Sequence, residues 1–103
     1  MYTVIFRSLK RADMDADAYR EDNARMFALA TSQPGFVSVK TFAAEDGETV
    51  SISIWESREA AKGWGRHPDH TAMMARGRAR YYASYSIRSF DGPPGRAFES
   101  ELA

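Results

Sequence analysis

Thr49-Val-Ser-Ile-Ser-Ile-Trp55-Glu-Ser-Arg-Glu-Ala-Ala-Lys-Gly-Trp64-Gly-Arg-His67-Pro-Asp-His70 is the stretch on which the reading of this chain turns. Its first seven residues alternate with period two, so a strand here carries Val50, Ile52 and Ile54 on one face and Ser51, Ser53 and Trp55 on the other. Ser57 then caps a helix that carries Ala60, Ala61 and Trp64. Pro68 either breaks that helix or opens a new turn. From Trp55 to His70 the stretch holds both tryptophans and both histidines of the chain. A strand-to-helix junction with the rarest side chains is the place to look for a pocket.

Working outward, Tyr2 to Leu9 is β-branched and aromatic and reads as a strand, with Val4 and Phe6 on one face and Thr3, Ile5 and Leu9 on the other. Asp13 or Asp15 caps a helix running to about Ser32, whose apolar stripe includes Tyr19, Met26, Phe27 and Ala30. Arg20, Glu21 and Arg25 turn mostly away from it, and Pro34-Gly35 stops it. Phe36 to Phe42 is a second strand, joined to Thr49–Trp55 by a hairpin marked by Asp46-Gly47. His70, Met73, Met74, Gly77 and Tyr81 continue an apolar helical stripe, and a last strand runs from Tyr81 or Tyr82 to Phe90. Residues 1–90 thus read as one domain and residues 91–103, opened by Asp91-Gly-Pro-Pro-Gly95, as a tail.

Composition narrows the function classes. Among 103 residues, 14 basic and 14 acidic side chains cancel, so no overall field recruits nucleic acid or a membrane surface. The chain has no cysteine, which removes disulfides, thiolate nucleophiles and thiolate metal sites. No segment approaches the roughly 20 apolar residues of a membrane span, and the expected location is cytoplasmic. His67-Pro-Asp-His70 suggests a metal, but zinc and iron sites take three or four protein ligands and two histidines are all this chain has. No metal site is expected. Glycine-rich phosphate loops and nucleophile elbows are also missing.

Strand, helix, strand, strand, helix, strand is the βαββαβ order of an α+β, ferredoxin-like fold, in which both helices cover one face of an antiparallel sheet. The other face would then expose aliphatic and aromatic side chains as a larger patch than monomers usually carry. A second copy packed sheet to sheet would cover it, so a homodimer is expected.

The Trp-Glu-Ser start of the second helical region, Trp64 nine residues on, His67-Pro-Asp-His70 and Gly77-Arg-Ala-Arg-Tyr-Tyr82 together resemble the antibiotic biosynthesis monooxygenase domain family, over roughly residues 2 to 90. That resemblance implies a dimeric α/β barrel of ferredoxin-like subunits and an activity of one of several kinds: cofactor-free oxidation of aromatic quinols or anthrones, haem degradation, or quinol oxygenation. In the haem-degrading branch an iron-ligating His follows the helical Trp by ten residues, with an Asn in the first strand; here Met74 holds the first place, and Phe6, Arg7 and Ser8 offer no Asn. The polyketide-oxidising branch has an Asn four residues before its Trp, where this chain has Ala60.

A cofactor-independent monooxygenase acting on a small aromatic quinol and dioxygen needs a base, a group that stabilises the substrate anion, and a dry aromatic cavity. It needs no metal or organic cofactor. His70 is the candidate base, Trp64 a cavity wall, and Arg7 or Arg80 the anion stabiliser. Asn23, inside the apolar stripe of the first helix, is a candidate contact to substrate or dioxygen, as are Trp55, His67, Tyr81 and Tyr82. Blander roles compete: tryptophans commonly pack cores, a lone imidazole is ordinarily satisfied by backbone or water, His67 before a proline is a natural cap, and Arg7 would guard a strand edge. A non-catalytic dimeric protein that merely binds a small aromatic ligand is the alternative.

Overall fold

The computed structural model describes residues 1–101, so the end of the tail expected at 91–103 lies outside the described residues. The chain runs β1 (Tyr2–Lys10), α1 (Ala16–Thr31), β2 (Phe36–Ala43), β3 (Thr49–Trp55), α2 (Arg58–Gly65), α3 (Pro68–Arg76), a π-helical turn (Gly77–Tyr81) and β4 (Tyr82–Asp91). The four strands form one antiparallel sheet in the order β2-β3-β1-β4, the ferredoxin-like arrangement. Among the described residues no helix is long and apolar enough to cross a membrane.

Local chemistry sets the boundaries. The Asp15 carboxylate accepts from the Ala18 N–H to start α1, and Gly35 ends the connection to β2 with φ of 78°, a conformation that suits glycine. A side chain at Gly35 would also bring its Cβ to 2.5 Å from the Ala60 methyl, so this glycine lets the turn lie against α2. Ser57 caps α2 through the Ala60 N–H. Pro68 ends that run and opens α3 as its first residue, with His67 Nδ1 accepting from the Asp69 N–H.

Strand parity decides what each side of the sheet is made of. Tyr2, Val4, Phe6 and Ser8 pair with Trp55, Ser53, Ser51 and Thr49, and this set faces the helices. Facing away are Thr3, Ile5, Arg7 and Leu9 of β1, Val50, Ile52 and Ile54 of β3, Phe42 of β2 and Phe90 of β4. The alternation of β3 is therefore inverted: its hydroxyls point toward the covering helices and its aliphatic side chains away from them. Leu9, Phe42 and Phe90 stand exposed on that outer face.

A register shift between Leu9 and Lys10 skips Ala83, so that Tyr82 and Tyr85 both reach Phe6 on the helix side, with ring centroids 5.5 and 5.6 Å away. Met26, Met73 and Tyr81 form a small buried cluster between α1, α3 and the π-helical turn, flanked by Tyr19, Trp64 and Tyr82. Trp55, at 1% exposure, fills the end of the sheet against Phe36 and Trp64.

Candidate functional site

Between the helix-facing side of the sheet and the three helices lies a cavity of about 330 Å³. Its floor is a row of hydroxyls supplied by the inverted parity of β3 and its neighbours: Ser8, Thr49, Ser51, Thr41 and Ser53. Four of them pair with one another, and Ser53 accepts from an indole. Ser8 Oγ and Thr49 Oγ1 are 3.0 Å apart, Thr41 Oγ1 and Ser51 Oγ 2.7 Å, and Trp55 Nε1 donates to Ser53 Oγ at 3.1 Å. The walls are apolar and aromatic: Phe6, Phe36, Trp55, Trp64, Met26, Met73, Met74 and Tyr82. Phe27 and Ile87 also border it and are half exposed, at 50% and 55%. Such a space, mostly apolar with a few fixed polar groups, is the usual character of a small-molecule site.

Trp64 and His70 form one wall. Trp64 stacks over Trp55 at 6.5 Å between centroids and meets the His70 ring at 4.6 Å. Burial draws the His70 pKa below the ordinary histidine value even though the Gly65 carbonyl accepts from the ring, and His67 nearby adds to the lowering. The His70 ring borders the cavity, while its Nδ1 is buried with no hydrogen-bond partner.

Of the other candidates, Trp55, Asn23 and Tyr82 border the cavity, Asn23 from an exposed position on α1. Four candidates lie elsewhere. Arg7 points to the opposite side of the sheet, where its guanidinium holds Glu48 through two hydrogen bonds of 2.8 and 3.1 Å. It cannot reach an anion in this cavity, because residues of odd number in β1 face outward. Arg80 is exposed on the π-helical turn. Tyr81 turns away from Tyr82 into the helix cluster and donates to Asp22 at 2.7 Å. His67 is held at the start of α3 by its capping bond, with its ring 5.7 Å from that of Trp64.

The Asp22 carboxylate also accepts from Arg76 at 3.0 and 3.2 Å and from Arg25 at 2.9 Å. Burial raises its pKa, but the bonds from Tyr81 and Arg76 and the two arginine charges outweigh this and hold it below the usual carboxylate range. This network fixes α1 to α3 and thereby the wall that carries His70. Sequence reasoning missed Asp22, Tyr19 and Lys10; the cavity borders Tyr19, and the Lys10 ammonium bonds the Ser8 and Thr49 hydroxyls of its floor. The sequence shows Tyr19 only as part of the apolar stripe of α1, Asp22 as a charge on that helix and Lys10 as a charge at the end of the first strand. Ala60 packs toward Gly35, whereas Ala61 and Met74 border the cavity. Among the described residues no three His, Asp or Glu side chains converge as a metal site would require.

The chain is thus an α+β domain with a ferredoxin-like sheet whose helix face encloses a hydroxyl-floored, tryptophan-walled pocket. The sequence model of the antibiotic biosynthesis monooxygenase family matches residues 1–76, and this chain belongs to that family. It is 39% identical over 87 residues to the uncharacterized protein YqjZ of Bacillus subtilis (strain 168), covering 84% of this chain and 75% of that one. Its fold is that of Rv0793 from Mycobacterium tuberculosis, with a TM-score of 0.78 at 20% identity over 93% of this chain and 98% of that one. It is also that of SnoaB from Streptomyces nogalater, described as a cofactor-independent oxygenase, with a TM-score of 0.74 at 20% identity over 90% and 93% of the two chains.

Proposed function

We propose that this protein is a cofactor-independent monooxygenase that oxidises an electron-rich aromatic quinol or anthrone with dioxygen, working as a homodimer. The observation that carries the reading is the pairing of an apolar-walled cavity with one buried imidazole whose Nδ1 has no partner. A phenol or enol O–H held against the His70 ring would lose its proton to it. The resulting anion is electron-rich enough to reduce dioxygen directly, and the aromatic walls keep water from the radical pair. For an anthrone the balance is CH₂ plus O₂ to C=O plus H₂O, so dioxygen is both the oxidant and the source of the new oxygen atom. Trp64 would hold the substrate ring against His70, and Asn23 is placed to donate to a substrate or dioxygen oxygen from α1.

What supports the dimer is the outer sheet face, where Ile5, Val50, Ile52 and Ile54 lie among exposed Leu9, Phe42 and Phe90 with no helix over them among the described residues. The reading as a binding protein without turnover is favoured by one feature, Ala60 in the place of the oxidising branch's Asn.

Oxygen uptake with a panel of anthrones and hydroquinones, corrected for autoxidation, separates the two. Wild-type uptake above background is expected, with about a hundredfold loss of kcat/KM in His70→Gln and a smaller loss in Trp64→Phe. Tryptophan quenching by the same compounds without uptake would instead establish the binding protein.

A further inference from the structure

Lys10, the last residue of β1, is half-buried on the helix side of the sheet at the Thr49 end of the cavity and takes no part in the chemistry above. Its ammonium donates to Ser8 Oγ at 2.7 Å and to Thr49 Oγ1, and stands 5.1 and 5.5 Å from the ring centroids of Tyr19 and Tyr82. Among the described residues it is in no ion pair; Glu48, next to Thr49 in sequence, is held by Arg7 on the other side of the sheet. Burial lowers the Lys10 pKa, as expected for a cation without a counter-ion.

Hydrogen-bond accounting gives this cluster a direction. Ser8 and Thr49 each accept from the ammonium, and across the 3.0 Å between them one hydroxyl donates to the other. The hydroxyl that receives both bonds keeps its own proton, which has no acceptor within these three groups. Ser8, Thr49, Tyr19 and Tyr82 all line the cavity, so a cation-polarised O–H donor sits in its floor. This is the Thr49 end of β3. Trp55, stacked on Trp64 beside His70, marks the other end, about 20 Å further along the strand at ~3.3 Å per residue.

We propose that Lys10, Ser8 and Thr49 form an anion-binding end of the cavity, which seats an acidic oxygen of an aromatic ligand, a carboxylate or an ionised phenol. The oxygen at Lys10 is then a remote anchor and not the one that His70 deprotonates. The site rests on the cavity being the ligand's place, as the proposed function has it, but not on turnover.

The test is tryptophan-quenching titration of the full chain with anthraquinone-2-carboxylate, its neutral methyl ester, and 2-hydroxyanthraquinone at a pH where the phenol is ionised. At least tenfold tighter binding of one or both anions than of the ester is expected, and which anion gains identifies the source of the oxygen. In Lys10→Met the ratio should fall to about one with ester affinity kept. Thr49→Val, which keeps the cation and the volume, should lower the ratio severalfold, so the test survives if Lys10→Met fails to fold. Equal affinities in the wild type, a preference that persists in the folded variants, or binding of none of the probes overturns the proposal. Anion preference in a protein that consumes no oxygen would leave this site standing and sink the oxygenase reading. Oxygen consumption on neutral anthrones with no anion preference would do the reverse.

Discussion

At the scale of single residues, the geometry around His70 ties stability and chemistry to pH. Its folded-state pKa lies below the unfolded value of 6.5, so the unfolded chain takes up a proton at a pH where the folded chain still does not. Stability from this group is complete above pH 6.5 and is lost as the pH falls through that value toward the folded pKa. Asp22 acts lower down: its depressed pKa stabilises above the unfolded value of 3.8, and that contribution is lost as the pH falls through the folded value. Urea midpoints measured between pH 7 and pH 5 should therefore decline in the wild type and decline less in His70→Gln. Equal slopes in the two proteins would remove the buried-histidine account.

Residue identity was only partly legible. Trp64 and His70 could be found from their types and closeness in sequence, although it is the break between α2 and α3 at Pro68, not a helical period, that brings their rings together. Arg7 was misplaced because charge alone suggested an anion partner, while its face depends on parity and its true partner, Glu48, on a register that the sequence does not print. Lys10 was passed over for the same reason: the Ser8–Thr49 pairing that gives it meaning is a contact across two strands.

At the scale of elements, the π-helical turn from Gly77 to Tyr81 sends two adjacent tyrosines to different duties, Tyr81 to Asp22 and Tyr82 to the cavity. Periodicity could not foresee this, since one extra residue in a helical turn and the skipped Ala83 in β4 both shift the phase on which periodicity depends. Gly77 makes the turn possible. A Cβ there would lie 2.4 Å from Cε2 of Tyr82, an overlap with a ring already wedged against Tyr19 and Phe6. Gly77→Ala should cost about 1–3 kcal/mol in urea unfolding and displace the Tyr82 wall, weakening aromatic ligands as well. Gly63→Ala, whose Cβ would meet nothing within 4 Å, should do neither. The strands were easier to read, because β2 and β3 are short, alternating and joined at Asp46-Gly47, where Gly47 takes φ of 92°.

At the scale of the whole molecule, the apolar surface is distributed unusually between inside and outside. Among the described residues the buried hydrophobic side chains are few, namely Met26, Ala30, Trp55, Met73 and Tyr81, while the outer sheet face carries Ile5, Leu9, Phe42, Val50, Ile52, Ile54 and Phe90, interspersed with Arg7, Lys40 and Arg88. Sedimentation at micromolar concentration should give a dimer, and Ile52→Lys, at the centre of that face, should yield a monomer or an unfolded chain. A monomeric wild type would refute sheet-to-sheet association.

The inverted alternation of β3 carries this further. In the proposed dimer, a strand that turns its isoleucines outward and its hydroxyls to a pocket would leave much of the driving force for folding to be gained only when two chains meet. Dilution then acts as a denaturant: the apparent melting temperature should rise with protein concentration, by mass action, at a fixed heating rate. The hydrophobic work of holding each chain together would then be done between chains, and a cavity large enough for a ligand could stay open inside each.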